Sequence, residues 1–256
     1  MLALAFLLPA RAQATQRHFA YTYESGVLNP GSAELEPWTT FRHGRSRYYS
    51  AFDQRLEFEF GLAKNLQTSL YWNFSSVTED TAGVRSTGFE GQGISSEWKY
   101  KLSDPMADAV GSAVYLEGTA STNSAEVEAK LILDKRAGPW IVALNLVGDH
   151  EWKWTGHGKT IREAGFELDL GAGYQVTDAF FAGIEARSVG EFEDADELES
   201  ATVFAGPTVG VARDSWWFSL SFTPQLGALK GATRGSHLDL DHQERVQARV
   251  VMGFHL

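Results

Sequence analysis

The sequence predicts an all-β protein, a single antiparallel up-and-down transmembrane β-barrel of about twelve strands. Three observations support this fold class: apolar and polar residues alternate, short and longer connections alternate, and aromatic residues cluster near segment ends. Side chains on a strand point alternately to its two faces, so an alternation with a period of two marks a strand with one apolar face. In the segment 55–62, Leu56 and Phe58 alternate with Glu57 and Glu59. A helix would spread the two glutamates around its surface, so this segment is predicted to be a strand.

The same alternation recurs along most of the chain and defines the candidate strands. They are 34–43, 51–61, 66–77, 89–102, 109–120, 125–136, 140–153, 161–175, 180–193, 200–212, 215–228 and 243–256. Short turns are expected after every second strand, at 63–65, 104–105, 138–139, 177–178 and 213–214. Most other connections read as longer or more polar, namely 43–50, 78–88, 154–160, 194–199 and 229–242, with 121–124 as a short exception. This asymmetry predicts short periplasmic turns and longer outer loops, as in bacterial outer-membrane barrels.

The N-terminus predicts export. An apolar run at 2–8 precedes Ala10 and Ala12, whose spacing fits a signal-peptidase site, so residues 1–12 are predicted to be a signal peptide. No Lys or Arg precedes the run, which predicts a signal peptide truncated at its start. Residues 18–24 also alternate, but a thirteenth strand would break the even strand number of bacterial barrels. Residues 13–33 are therefore expected to be a periplasmic or lumenal lead-in, followed by the barrel at 34–256.

Composition narrows the class of protein further. Lys and Arg total 22 against 33 Asp and Glu, a formal net charge of −11, and Cys is absent. An acidic chain is a poor partner for nucleic acid, whose phosphates require clustered basic residues. A chain without Cys forms no disulfide and no thiolate metal site. The expected location is the outer membrane of a Gram-negative cell.

A soluble barrel would also alternate, but with its apolar face turned inward. Candidate strands of 10 to 15 residues match or exceed the ~9–11 that a tilted strand needs to cross a bilayer. The polar face is strongly charged, which predicts a lumen-lining set that forms either a solute path or a plug: Arg42, Arg55, Glu57, Glu59, Glu97, Lys99, Lys101, Glu117, Glu126, Glu128, Lys130, Glu167, Asp169, Glu185, Arg187 and Arg249. Aromatic residues on the apolar face predict girdles at the membrane interfaces: Tyr100, Trp140, Trp152, Trp154, Tyr174, Trp216 and Phe254.

Three stretches carry a family resemblance: LNPGSAELEPWTTFRHG (28–44), LEFEFGLAKNLQTSLYWNF (56–74) and GPTVGVARDSWWFSLSFTPQ (206–225). The chain resembles an uncharacterised family of Gram-negative outer-membrane β-barrel proteins related to outer-membrane proteins of the phenol-degradation meta-pathway. The resemblance implies a barrel fold and a role in outer-membrane transport or integrity, and it brings no catalytic signature. The last strand resembles a barrel assembly signal in its alternation and in Phe254, but it ends in Leu256 rather than an aromatic residue.

The sequence gives little support for catalysis or for a metal site. His43, His157, His237 and His242 fall in expected outer loops with serines nearby, but no G-x-S-x-G motif accompanies them. The protein is therefore expected not to be an enzyme, with a rim-located hydrolase or acyltransferase as the less favoured alternative. The run 237–242 contains carboxylate and imidazole ligands, yet its spacing matches no calcium loop. No catalytic residue, metal site or cofactor is predicted.

The leading hypothesis is a narrow channel or transport component for small polar or aromatic solutes. The alternative is a structural or surface-interaction barrel whose lumen is closed by charge pairs or by residues 18–33. The expected partners are outer-membrane lipid and lipopolysaccharide, the barrel assembly machinery during biogenesis, and a small solute.

Overall fold

A computed structural model describes residues 16–155, 158–194 and 196–256, without the side chain of Glu90. These residues form twelve antiparallel strands in one closed barrel, in which each strand pairs with its sequence neighbours and β1 pairs with β12. The strands are β1 Ala33–His43, β2 Tyr49–Ala63, β3 Leu66–Thr81, β4 Val84–Ser103, β5 Gly111–Ala120, β6 Ser124–Ala137, β7 Trp140–Thr155, β8 Lys159–Thr177, β9 Phe180–Glu193, β10 Glu197–Ala212, β11 Trp216–Lys230 and β12 Val246–His255. The predicted fold class is confirmed. The predicted signal peptide and His157 lie outside the described residues.

The two ends of the barrel differ in their connections. Both ends of the sheet-forming chain meet at one end, here called the termini end, where Glu34 of β1 pairs with His255 of β12. The opposite end is called the distal end. The connection 104–110 at the termini end is longer than the predicted two-residue turn. The Asp104 carboxylate accepts backbone N–H groups of Met106 and Ala107, which holds this connection in place. The Lys101 ammonium 2.6 Å away, together with these N–H groups, lowers the pKa of Asp104 to about 2.

The distal end holds more strand and less loop than the sequence predicts. The segment 78–88, expected to be a loop, is a hairpin in which β3 and β4 are joined by Ala82 and Gly83 alone. Both turn residues have positive φ, 51° and 82°, as a two-residue hairpin turn requires. The paired residues here are polar on both faces of the sheet, so the alternation that marks a strand is lost. The one long distal connection in the described chain is 231–245, between β11 and β12.

The apolar face of the sheet is the outside of the barrel. Outward side chains such as Trp72, Phe58 and Leu70 lie side by side on β2 and β3 and are each at least two-fifths exposed. The inward positions between them, such as Glu57 and Tyr71, are buried. The exposed apolar surface surrounds the barrel and is far larger than the apolar patches that soluble monomers carry. It therefore requires an apolar environment. Within the described residues, no helix is long and apolar enough to cross a membrane.

Candidate functional site: a plugged polar lumen

All the residues predicted to line the lumen lie on the inward face of the wall. They are Arg42 (β1), Arg55, Glu57 and Glu59 (β2), Glu97, Lys99 and Lys101 (β4), Glu117 (β5), Glu126, Glu128 and Lys130 (β6), Glu167 and Asp169 (β8), Glu185 and Arg187 (β9) and Arg249 (β12). The girdle residues lie on the outward face, with Tyr100, Trp140, Tyr174, Trp216 and Phe254 near the termini end and Trp152 and Trp154 near the distal end. Their roles as a solute path and as interface girdles stay predictions.

The N-terminal segment 17–28, here called the plug, runs inside the barrel. It forms no strand, and Phe19, Ala20 and Ser25 are completely buried. The Glu185 carboxylate accepts the backbone N–H groups of Ala20, Tyr21 and Thr22 at 3.1, 3.0 and 2.7 Å. It also accepts the hydroxyl of Ser221, which lies on the inward face of β11. One carboxylate thus replaces three of the hydrogen bonds that a neighbouring strand would supply.

Two side-chain amides hold the plug on other sides of the lumen. The Asn145 amide accepts the N–H of Tyr23 at 2.6 Å and donates to its carbonyl at 2.9 Å. The Gln67 side-chain oxygen accepts the N–H of Leu28 at 2.9 Å. Asn145 lies on β7 and Gln67 on β3, so the plug is bound to the wall across the width of the lumen.

Aromatic contacts fill the space around the plug. Phe19 packs edge-on against Phe181 with ring centroids 5.2 Å apart. A Cβ atom at Gly171 would lie 2.8 Å from the Phe19 ring, so this close approach requires glycine. The ring of Tyr23 lies 5.4 Å from that of Tyr115 and 6.2 Å from that of Trp38.

Hydrogen bonds, an ion pair and cation–π contacts hold the plug at His18, Tyr21 and Glu24. The Glu24 carboxylate binds the His18 ring and the Arg136 guanidinium, each at 2.9 Å. Two further guanidinium groups, those of Arg187 and Arg249, each lie 4.1 Å from the centre of the Tyr21 ring. The plug is therefore built into the wall by hydrogen bonds, ring packing and cation–π contacts together.

A polar cavity of about 560 Å³ lies between the plug and the distal end. Tyr21 and Tyr23 of the plug line it on one side, and Ser121 and Asn123 of a distal connection line it on the other. We call it the vestibule. Its wall carries ion pairs: Arg55 with Glu117 at 3.4 Å, Lys130 with Glu128 at 2.9 Å, and Arg187 with Glu167 at 2.8 Å and Asp169 at 3.4 Å. Charge pairing thus fixes the wall and leaves the cavity polar.

The connection 231–245, here called the distal loop, folds inward over part of the distal end. The Gln225 amide accepts the N–H of Asp239 at 2.7 Å and donates to its carbonyl at 2.9 Å. The buried Glu244 carboxylate accepts Arg42 at 3.0 Å and Arg45 at 2.5 Å. These bonds attach the loop to β1 and β11 and to the connection that follows β1.

The histidine run 237–242 organises this loop. The buried Asp239 carboxylate accepts Ser200 at 2.7 Å and binds the His242 ring at 3.0 Å, and the other ring nitrogen of His242 lies 3.2 Å from Glu199. Partial burial on its own lowers the pKa of His242, but the hydrogen bond to Asp239 and the charges of Asp239, Glu199 and Glu191 outweigh this effect and raise it. The Asp239 carboxylate is thus occupied by His242 of the loop and Ser200 of β10.

Serine and histidine do not pair in the described part of the chain. The rings of His18, His242 and His255 bind carboxylates, and no histidine ring there is hydrogen-bonded to a serine hydroxyl. A nucleophile and its base within hydrogen-bond reach would be the mark of a hydrolase site. The expectation that the protein is not an enzyme stays a prediction.

Sequence reasoning missed the aromatic residues that point inward. Trp38 and Trp217 lie on the polar face of β1 and β11 and are buried, and the indole N–H of Trp217 donates to Glu34. An aromatic ring at a position that alternates with outward apolar residues is the signal that was available. Such a ring needs something to pack against, and for Trp38 that partner is the plug residue Tyr23.

The fold and the lumen together define a plugged β-barrel with an apolar exterior and a polar interior. The chain belongs to a family of unknown function (DUF6662), whose model matches residues 11–136 and 135–256. No curated protein sequence matches the chain.

Solved structures with similar folds include an outer membrane channel, a porin and the β domain of an autotransporter. The COG4313 outer membrane channel from Pseudomonas putida F1 is 12% identical, with a TM-score of 0.64 over 91% of this chain and 98% of that chain. The NanC porin is 13% identical, with a TM-score of 0.54 over 87% and 100%. The β domain of the Bordetella autotransporter BrkA is 10% identical, with a TM-score of 0.53 over 89% and 99%. At these identities the likeness is one of fold.

Proposed function

We propose that the protein is an outer-membrane channel for small polar solutes, closed at rest by the plug. The observation that carries the proposal is that the vestibule extends from the distal end to the plug and ends on plug residues, not on the wall. The plug forms no strand and is held by side chains of the wall, so it can leave the lumen without breaking a hydrogen bond between strands. Passage would then require the plug to release Glu185, Asn145 and Gln67.

The membrane setting is part of the proposal. The outward apolar surface and the fold shared with outer-membrane channels support insertion in the outer membrane, with the termini end in the periplasm. Lipid, lipopolysaccharide and the barrel assembly machinery are the partners this setting implies. Export through residues 1–12 is checked by sequencing the N-terminus of the purified mature protein, which is expected to begin at Gln13. A relation to phenol-degradation proteins, and hence an aromatic solute, stays a prediction from sequence.

A closed structural barrel is the second candidate, because the plug is bound on several sides. The observation that supports it is the number of buried wall side chains that bind the plug. Glu185 alone accepts hydrogen bonds from three backbone N–H groups of the plug. Under this candidate the plug never leaves, and the outer surface of the barrel provides the function.

A reversible covalent lock on the plug separates the two candidates. The chain has no Cys, so the double variant Phe19→Cys/Gly171→Cys introduces the only thiol pair. An ideal Cβ at Gly171 lies 2.9 Å from Cγ of Phe19, the position that a cysteine sulfur would take. In a disulfide with an S–S bond of about 2.05 Å, the Cβ of one cysteine is about 3 Å from the sulfur of the other, so the geometry suits a bond. The oxidised variant therefore fixes the plug to β8.

Single-channel recording in planar bilayers then gives the answer. The wild-type protein is expected to show brief openings, the oxidised variant none, and the reduced variant openings again. The single variant Phe19→Cys under oxidising conditions controls for the lost ring. Absence of openings in the wild-type and reduced proteins, together with no solute uptake into liposomes, would reject the channel and favour the closed barrel.

A further inference from the structure

Three carboxylates meet inside the barrel near the termini end. Glu36 of β1 and Glu57 and Glu59 of β2 each offer one oxygen, and these three oxygens lie within 4.8 Å of one another. All three side chains are buried, with exposures of 1%, 1% and 6%. We call these residues the acidic cluster. Like charges this close repel strongly in a low-dielectric interior, so they require compensation.

A fourth buried carboxylate, that of Glu97, lies on the inward face at the level of the cluster. Glu97 is 1% exposed, and within the described residues neither of its oxygens accepts a hydrogen bond; the same holds for both oxygens of Glu57. Pairing of Glu59 with Ser69, and of Ser69 with Glu97, places the fourth carboxylate at the level of Glu59 on the inward face. Buried acceptors without donors are rare in folded proteins and mark the place of an unseen partner.

Within the described part of the chain, ion pairs do not balance this group. The nearest guanidinium, that of Arg17, lies 3.9 Å from Glu36 and is stacked on the rings of Tyr23 and Trp38. Among the described residues, Lys99 comes within ion-pair distance of no carboxylate. Burying unpaired carboxylates is unfavourable, so a further positive charge would stabilise this region.

We propose that Glu36, Glu57 and Glu59 bind one divalent cation, with Ca²⁺ as the favoured ion and Glu97 as an additional oxygen ligand. A cation at the centre of three oxygens that lie within 4.8 Å of one another would be at most about 2.8 Å from each, so small side-chain shifts reach the 2.3–2.6 Å range of Ca²⁺. Mg²⁺ needs about 2.0–2.1 Å and a stricter geometry, so it fits less well. The bound ion joins β1 to β2 beside the plug, independently of whether the barrel conducts.

Terbium luminescence tests the proposal on the purified full chain. Tb³⁺ takes Ca²⁺ sites, and Trp38, two residues from Glu36 on the same face of β1, can sensitise its emission. The wild-type protein is expected to bind one Tb³⁺ per chain, with displacement by Ca²⁺ at lower concentration than by Mg²⁺. Glu57→Gln is expected to weaken binding about tenfold or more, because loss of even an outer-shell partner of a metal ligand typically costs about 10–100-fold in affinity.

The matched control is Glu126→Gln. Glu126 is also an inward carboxylate without a hydrogen bond, but it lies on β6 in the wall of the vestibule. It is expected to leave Tb³⁺ binding unchanged. Folding of each variant is checked by its heat-dependent mobility shift on gels, and Glu59→Gln replaces Glu57→Gln if that variant does not fold. Equal binding by wild-type and cluster variants, or no sensitised emission and no Ca²⁺-dependent rise of Tm in the wild-type protein, would overturn the proposal.

Discussion

The termini half and the distal half of the lumen are filled in different ways. In the termini half, the plug occupies the space, and its backbone binds buried wall side chains such as Glu185 and Asn145. In the distal half, the wall is cross-linked by ion pairs such as Arg187 with Glu167, and the vestibule remains open between them. The plug therefore blocks the lumen, while the charge pairs keep the wall rigid.

This difference separates the parts of the molecule that can move from those that cannot. Wall strands are bound to two neighbours along their length, whereas the plug is bound by a few side chains. Segments with few backbone partners open at lower free energy than the sheet around them. Mutations that weaken the plug should therefore leave the wall intact, and mutations in the wall pairs should lower the stability of the whole barrel.

The largest effect is expected from Glu185→Ala. It leaves three buried backbone N–H groups of the plug without an acceptor, at a cost of about 1–3 kcal/mol for each. The plug should detach, which exposes Arg17 to trypsin and makes channel openings frequent. Cleavage after Arg17 is followed by mass spectrometry. Glu185→Gln keeps one acceptor oxygen and should show a smaller effect; equal protection of Arg17 in Glu185→Ala and wild type would contradict the assigned role.

Arg187→Met is expected to have the next largest effect, mainly on the wall, although it also removes the contact of Arg187 with Tyr21 of the plug. The variant leaves the Glu167 and Asp169 carboxylates in the lumen without their guanidinium, and breaking a buried ion pair costs about 3–5 kcal/mol. The midpoint of urea unfolding should fall. Arg85→Met, which removes an exposed pair with Asp80, should leave the midpoint unchanged. Equal midpoints for the two variants would show that the lumen pairs do not stabilise the wall.

A smaller effect is expected from Gly171→Ala. The new methyl group would lie 2.8 Å from the Phe19 ring, and overpacking of this kind costs about 1–3 kcal/mol. The plug should loosen, and cleavage after Arg17 should become faster than in wild type. Gly148→Ala is the matched control, because a Cβ there meets nothing within 4 Å. Similar cleavage rates in the two variants would mean that Phe19 does not anchor the plug.

The wall was predictable from sequence because its signal is local. Alternation needs only neighbouring residues, so all twelve strands and the inward face of residues such as Arg55 and Glu117 follow from it. The prediction lost accuracy at the distal end, where the paired residues around Ala82 are polar on both faces. There, the backbone pairing of β3 and β4 continues, but the two faces of the sheet do not differ in hydrophobicity, so the sequence does not mark the strands.

The plug was not predictable in the same way. Its contacts with Glu185 join residues 163 to 165 positions apart, and its contact with Asn145 joins residues 122 positions apart. Alternation shows that both side chains face inward, but it does not say whether they bind water, a charge or a backbone. The acidic cluster was not predictable for the same reason, since Glu36 and Glu57 come together only through the register of β1 and β2.

The smallest effect concerns the distal loop and its dependence on pH. Because the folded pKa of His242 is raised above that of the unfolded chain, protonation stabilises the loop. The stabilisation is fully present below the unfolded value of about 6.5 and is lost as pH rises through the folded pKa. Hydrogen exchange of residues 231–245, corrected for intrinsic rates, should show stronger protection at pH 5.5 than at pH 8.5.

The variant His242→Gln separates this effect from other titrations. Glutamine can still donate to Asp239, but it carries no charge at either pH, so the difference in protection between pH 5.5 and pH 8.5 should disappear in the loop. Protection of the plug should not depend on pH through this residue, because none of the plug contacts involves the distal loop. A pH dependence that persists in His242→Gln would assign the titration to another group, and one that spreads to the plug would show that the two halves of the lumen are coupled.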